Sequence, residues 1–341
     1  MEHFNPSDDY LKIKTIDAHA AGEPFRVITS GVPEPVGKTI LEKRRYAKKH
    51  LDTIRKILMF EPRGHADMYG CFITEPVTKN ADFGILFIHN EGFSTMCGHG
   101  IIAITTVALE TGFVKITCPG QKIRIDTPAG LVTAIPHMKQ GRVKSVTFKN
   151  VASFAVELSA VVDVQNLGKI TYDLGFGGAF YAFVNARDLG LACTPQYFPE
   201  LVEKGRMIKN AIMASKKIIH PFEKDLSFLY GTIFVDDPDL ENIHSRHCCI
   251  FADGEVDRSP TGTGVSARLA ILHERNRLQP GEQIVINSII NTSFMGEIDS
   301  VVQVGKYTAI IPKVTGSAYI TGVHEFLIHP DDPLNQGFIL R

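Results

Sequence analysis

Apolar and polar residues alternate over short runs along most of the chain. The alternation predicts strands at residues 13–17, 26–29, 82–89, 122–126 and 143–148. Further strands are predicted at 169–174, 179–185, 229–236, 301–311 and 318–321. Apolar positions recur with a helical period in four places, predicting helices over 39–58, 98–110, 196–214 and 262–277. Pro62 follows the first of these, Gly112 closes the second and Pro280-Gly281 closes the last. Strands outnumber helices too heavily for a regular βαβ alternation, so the pattern predicts a mixed α/β (α+β) fold. With 341 residues the chain is long enough for two domains. Residues 150–168 carry no linker composition, so the division into 1–150 and 151–322 is soft, with the tail 323–341 free to return to the first domain.

Two of the helices start on the same short pattern, close to half a chain length apart. One copy is Cys97-Gly98-His99-Gly100-Ile101-Ile102-Ala103; the other is Thr261-Gly262-Thr263-Gly264-Val265-Ser266-Ala267. A dinucleotide-binding turn requires a strand running straight into the glycines and an acidic residue about 20 positions later. Here residues 90–96 intervene and position 118 is a cysteine, so that reading is set aside. Glycines at a helix start instead let backbone N–H groups approach an anion, aided by the helix dipole. Two such starts facing each other would hold a small carboxylate. The residue before each first glycine would then flank the ligand from either side. A cysteine so placed is expected to have a lowered pKa, and a thiolate over a carbon next to a carboxylate is a candidate base. The alternative is a buried cysteine at an ordinary cap, which the second copy disfavours. His99 is either a structural hydrogen-bonder or a group that tunes the thiol and contacts ligand. Asp257, just before the second copy, is a turn residue or the partner of a ligand cation.

Composition narrows the function classes. The net charge of −1 favours neither nucleic acid nor an anionic membrane as partner. The basic run 43–56 is expected to be a solvated helix face. No segment approaches the roughly 18 apolar residues that span a bilayer, and residues 1–10 are polar and acidic rather than signal-like. A cytoplasmic location is therefore expected. None of the six cysteines forms C-x-x-C, which points to neither zinc nor a disulfide framework. All but Cys97 are expected to be packing residues.

These segments resemble the proline racemase family. The resemblance rests on Met96-Cys97-Gly98-His99-Gly100 and Asp257-Arg258-Ser259-Pro260-Thr261-Gly262-Thr263-Gly264. It extends to Gly22-Glu23-Pro24, the segment from Glu61 to Gly70, Gly177-Gly178-Ala179-Phe180-Tyr181-Ala182 and Thr321-Gly322-Val323-His324-Glu325-Phe326, so it covers nearly the whole chain. It implies a diaminopimelate-epimerase-like fold: two pseudo-symmetric domains, strands wrapped around a central helix in each, and the ligand between them. It also implies a homodimer that works without cofactor or metal. By matching position, Cys97 is the base, Gly98, His99, Gly262 and Thr263 contact substrate, Asp257 holds the ring nitrogen, and Thr261 binds substrate or fills space. Asp67 and Phe180 are read as structural.

Racemases and epimerases of this family carry cysteine in both copies. Thr261 departs from that pattern and looks like the trans-3-hydroxy-L-proline dehydratase branch. A threonine hydroxyl is too weak an acid to reprotonate a carbanion from the second face. Loss of a C3 hydroxyl would then give an enamine and, by tautomerisation, Δ1-pyrroline-2-carboxylate. In the trans-3-hydroxy isomer the C2 hydrogen and the hydroxyl share a face, so Cys97 is expected to take the proton and help it onto the leaving hydroxide, with His99 as the alternative acid. The competing readings are a proline racemase or 4-hydroxyproline 2-epimerase and, in another class, a non-catalytic amino-acid-binding protein.

Overall fold

The computed structural model describes residues 6–118, 120–237 and 241–340; residues 1–5 of the polar start lie outside them. Its α-helices among the described residues are α1 (Ile40–His50), α2 (Asp52–Met59), α3 (Gly98–Glu110), α4 (Phe198–Ser215) and α5 (Gly262–Glu274). The single helix expected over 39–58 is two, because Leu51 leaves the helical region (φ −119°, ψ 11°) while its side chain is buried. Helix α5 stops short of 277: Arg275 caps it and Asn276 turns left-handed at φ 56°. Residues from Gly98 to Ala108 are all buried, as are all but one from Gly262 to Leu272. Helices without a polar face have to sit inside a core rather than on it.

A continuous network of strands provides that enclosure. In the first half, Leu11–Ala20 pairs with Glu23–Ser30, which runs parallel to Tyr69–Thr74. The order continues antiparallel to Phe83–His89, parallel to Ile123–Thr127, then antiparallel through Gly130–Lys139 to Arg142–Lys149. In the second half, Gly168–Phe176 pairs with Phe180–Asn185, which runs parallel to Leu229–Asp236. The order continues through Ser245–Phe251, parallel to Gln283–Ser288, then Ser293–Val304 and Tyr307–Gly316. The one strand expected over 301–311 is a hairpin that turns at Gly305-Lys306. Two pairings cross between the halves: Tyr307–Gly316 lies antiparallel to Arg142–Lys149, and Ala318–Ile328 returns to lie along Leu11–Ala20. Ser153–Val164 pairs with Gly168–Phe176 within the second half. Helix α3 packs on the first set of strands and α5 on the second.

The expected solvated basic face fails at two positions for the same reason. Lys43 and Arg55, in the supposedly solvated basic run, are buried. Lys43 Nζ donates to the Glu75 carbonyl at 2.8 Å and Arg55 Nη1 to that of His89 at 2.9 Å. Strand ends leave carbonyls without ladder partners, and long cationic side chains satisfy them while burying their stems. Among the cysteines, Cys71, Cys193 and Cys248 pack in the core as expected; Cys118 is exposed and Cys249 lines a cavity. Among the described residues no helix is long and apolar enough to cross a membrane.

Candidate active site

The starts of α3 and α5 abut through their glycines. A Cβ built on Gly98 would stand 2.6 Å from Gly262 Cα, and one on Gly262 would stand 2.8 Å from Gly98 Cα. Both obstacles are backbone, so no rotamer change could relieve them. Glycine is required because two helix ends meet main chain to main chain. The first amides of each helix have no intrahelical partner, and here two sets of them converge.

Around this contact lies a narrow cavity of about 10 Å³, near the room a single water needs, so its walls must part to admit a larger ligand. It is lined by Cys97, Gly98, His99, Asp257, Thr261, Gly262 and Thr263, all seven residues singled out from the sequence. Asp67 and Phe180 lie elsewhere. Asp67 pairs with Arg258 at 2.8 Å, and Phe180 is in the core of the second half.

Cys97 is the N-cap of α3, and its Sγ accepts the Gly100 N–H at 3.2 Å. The His99 ring lies against it, with Nδ1 at 3.3 Å and Nε2 at 3.4 Å. His99 Nδ1 is in turn 3.8 Å from Asp257 Oδ2. Asp257 is both a turn residue and a cavity wall: its Oδ1 accepts from Ser259 N at 2.8 Å. Thr261 precedes α5 with φ 63° and ψ 91°, and its buried hydroxyl has no oxygen or nitrogen partner and lies beside the Cys249 thiol. The Tyr181 and Thr263 hydroxyls bond at 2.7 Å.

Electrostatics correct the expected low thiol pKa. Burial pushes the Cys97 thiol well up, and the Asp257 and Glu23 carboxylates push the same way against the Gly100 N–H. Burial also lowers the His99 pKa, against the pull of Asp257, so its ring is held neutral. Glu23, buried with one oxygen unpartnered, is driven well above the usual carboxylate range by burial and by Asp257. The site thus sets the Asp257 carboxylate, with Arg258 near it, against N–H groups at the helix starts. That is the complement of a ligand carrying both an ammonium and a carboxylate.

Tyr69, Met96, Tyr181, Tyr230, Cys249 and Phe251 also line the cavity and were not singled out as site residues. Tyr69 and Tyr181 sit in segments that carry the family resemblance, a signal available in the sequence. Tyr230 lies in a run that reads as a strand and Cys249 reads as a packing residue, and nothing local distinguishes them.

The proline racemase family model matches residues 15–339. The chain belongs to that family. A trans-3-hydroxy-L-proline dehydratase from Bacillus cereus is 49% identical over 326 residues, covering 96% of this chain and 97% of its own. A 3-hydroxyproline 2-epimerase from Burkholderia multivorans is 42% identical over 329 residues, covering 96% and 98%. The crystal structure of a hydroxyproline epimerase from Agrobacterium vitis, with bound trans-4-hydroxy-L-proline, is similar with a TM-score of 0.90 at 34% identity, covering 97% of this chain and 96% of that one. The fold is accordingly proline racemase-like: mixed α/β, with few helices and a strand-rich, barrel-like sheet.

Proposed function

We propose that this chain dehydrates trans-3-hydroxy-L-proline to Δ1-pyrroline-2-carboxylate and water without a cofactor. The carrying observation is the mismatch at the abutting helix starts, a thiol ahead of α3 against a hydroxyl ahead of α5. The name trans-3-hydroxy-L-proline dehydratase, given to relatives 41–49% identical over nearly their full length, agrees with it.

In this reading the amides of Gly98, His99, Gly262 and Thr263 hold the substrate carboxylate, and Asp257 holds the ring ammonium. Burial and then the Asp257 and Glu23 carboxylates keep the Cys97 thiol protonated, and the ammonium offsets the carboxylate part, so binding favours the thiolate. Cys97 then takes the C2 proton. The 3-hydroxyl leaves from the same face, and the resulting enamine tautomerises to the cyclic imine. Thr261 stands on the opposite face and cannot deliver a proton to carbon as a thiol would, so the carbanion eliminates instead of inverting.

The two halves act as related lobes, 1–150 and 151–322, with the last strand returned to the first. Their strand pairings follow the same antiparallel and parallel order, which supports a pseudo-symmetric, diaminopimelate-epimerase-like arrangement. The enzyme is read as a cytoplasmic homodimer.

Epimerisation at C2 is the second reading, favoured by Cys249, a second thiol on the cavity wall, and by the Burkholderia multivorans relative. Nuclear magnetic resonance in deuterated water separates them. Purified protein offered trans-3-hydroxy-L-proline, trans-4-hydroxy-L-proline and L-proline should convert only the first, to the imine. Accumulation of a deuterated C2 epimer without imine would establish the second reading; no turnover of any would leave a binding protein.

A further inference from the structure

Elimination of hydroxide needs an acid on the face where Cys97 works. We propose that Tyr69 is that acid and donates its phenolic proton to the departing 3-hydroxyl, an assignment that rests on the dehydratase reading.

Tyr69 begins the strand Tyr69–Thr74, is 2% exposed and lines the cavity. Its ring is fixed edge-on to His99 at 4.9 Å and stacked on His89 at 5.4 Å. His89 is itself held by Glu255 at 2.8 Å. The Tyr69 oxygen bonds to Ser94 Oγ and lies 3.2 Å from the Tyr230 hydroxyl. Each hydroxyl carries one proton and accepts two hydrogen bonds. No other acceptor is recorded for Ser94 or Tyr230 among the described residues, and buried O–H groups need one. If both donate to Tyr69, its lone pairs are filled and its own proton is left for the cavity, where the Cys97 sulfur is its neighbour. Two donors also stabilise the phenolate that forms when the proton leaves. His99 is worse placed for this work. Both its nitrogens lie against the Cys97 sulfur, and its ring is neutral.

The step balances. The Cys97 thiolate takes the C2 proton, the C2–H electrons form the C2–C3 double bond, and the C3–O bond breaks. The Tyr69 proton completes a water molecule. The Cys97 thiol returns its proton to the Tyr69 phenolate, restoring both groups, and no oxidant or reductant is involved.

A leaving group that needs no proton isolates this role. Tyr69→Phe keeps the ring and removes the acid. We expect it to lower kcat for trans-3-hydroxy-L-proline by ~10²-fold or more, the range of general acid catalysis. For trans-3-chloro-L-proline, which expels chloride, the loss should stay within about tenfold. Ser94→Ala, which removes one of the two donors, should show the same selective loss at smaller size and serves if the phenylalanine variant does not fold. Equal losses on both substrates, or no loss on the hydroxylated one, would overturn the assignment. Wild-type protein that makes no imine from the hydroxylated substrate would overturn the activity and this role with it.

Discussion

The two helix starts share their glycines and differ in the residue before them. Cys97 is extended, at φ −146° and ψ 109°, and its sulfur caps α3 by accepting the Gly100 N–H. Thr261 holds φ 63°, a region that β-branched residues rarely enter, and its hydroxyl caps nothing. A threonine cap ordinarily contributes ~1 kcal/mol, and a strained backbone of this kind costs on the order of 1–3 kcal/mol. Thr261 forgoes the first and bears the second, leaving its hydroxyl on the cavity wall. In the proposed reading the glycines serve a common task, bringing two sets of amides together around one carboxylate, and the residue ahead of them tells the faces of the substrate apart.

Removing the thiol tests that difference most severely. Cys97→Ser should lower imine formation by ~10³-fold, within the span expected for loss of a proton-transfer group, while calorimetry shows substrate still bound. A variant that keeps a tenth of its turnover would mean that the two starts are not chemically distinct. Making the starts alike should have a smaller, opposite effect. Thr261→Cys supplies a second acid, so slow deuterium incorporation with inversion at C2 should appear beside dehydration in deuterated water. If only dehydration persists, the second face is controlled by something other than this residue. The smallest effect concerns pH. In the free enzyme burial, Asp257 and Glu23 hold the thiol above its usual range, so kcat/KM should rise with pH on the alkaline side. Bound ammonium offsets Asp257, which places the corresponding limb of kcat at lower pH. Asp257→Asn removes a like charge and should move the kcat/KM limb down. Coincident limbs in wild type would separate the thiol from Asp257.

The helix starts were readable because their signals are local: glycine spacing, a preceding thiol or hydroxyl, and an apolar run behind. Expectation and structure agree on residues 98–110 for α3. Where several elements had to act together, reading the chain failed. Leu51 breaks a helix because its side chain belongs to the core, and Lys43 and Arg55 turn inward because carbonyls elsewhere need donors. Tyr230 reads as part of a strand and Cys249 as a packing residue. They become cavity wall only because the fold brings the strands carrying them beside the starts of α3 and α5.

By itself, then, the sequence determined the family, the mixed α/β character and the asymmetry between Cys97 and Thr261, since each is written in residue type and spacing. Tertiary structure alone decided that Gly98 and Gly262 touch, that Tyr69 meets Ser94 and Tyr230 beside the thiol, and that Cys97 rests protonated. Contact between distant segments and the burial of charge depend on how all the strands close around the two helices. No short stretch of residues contains that information.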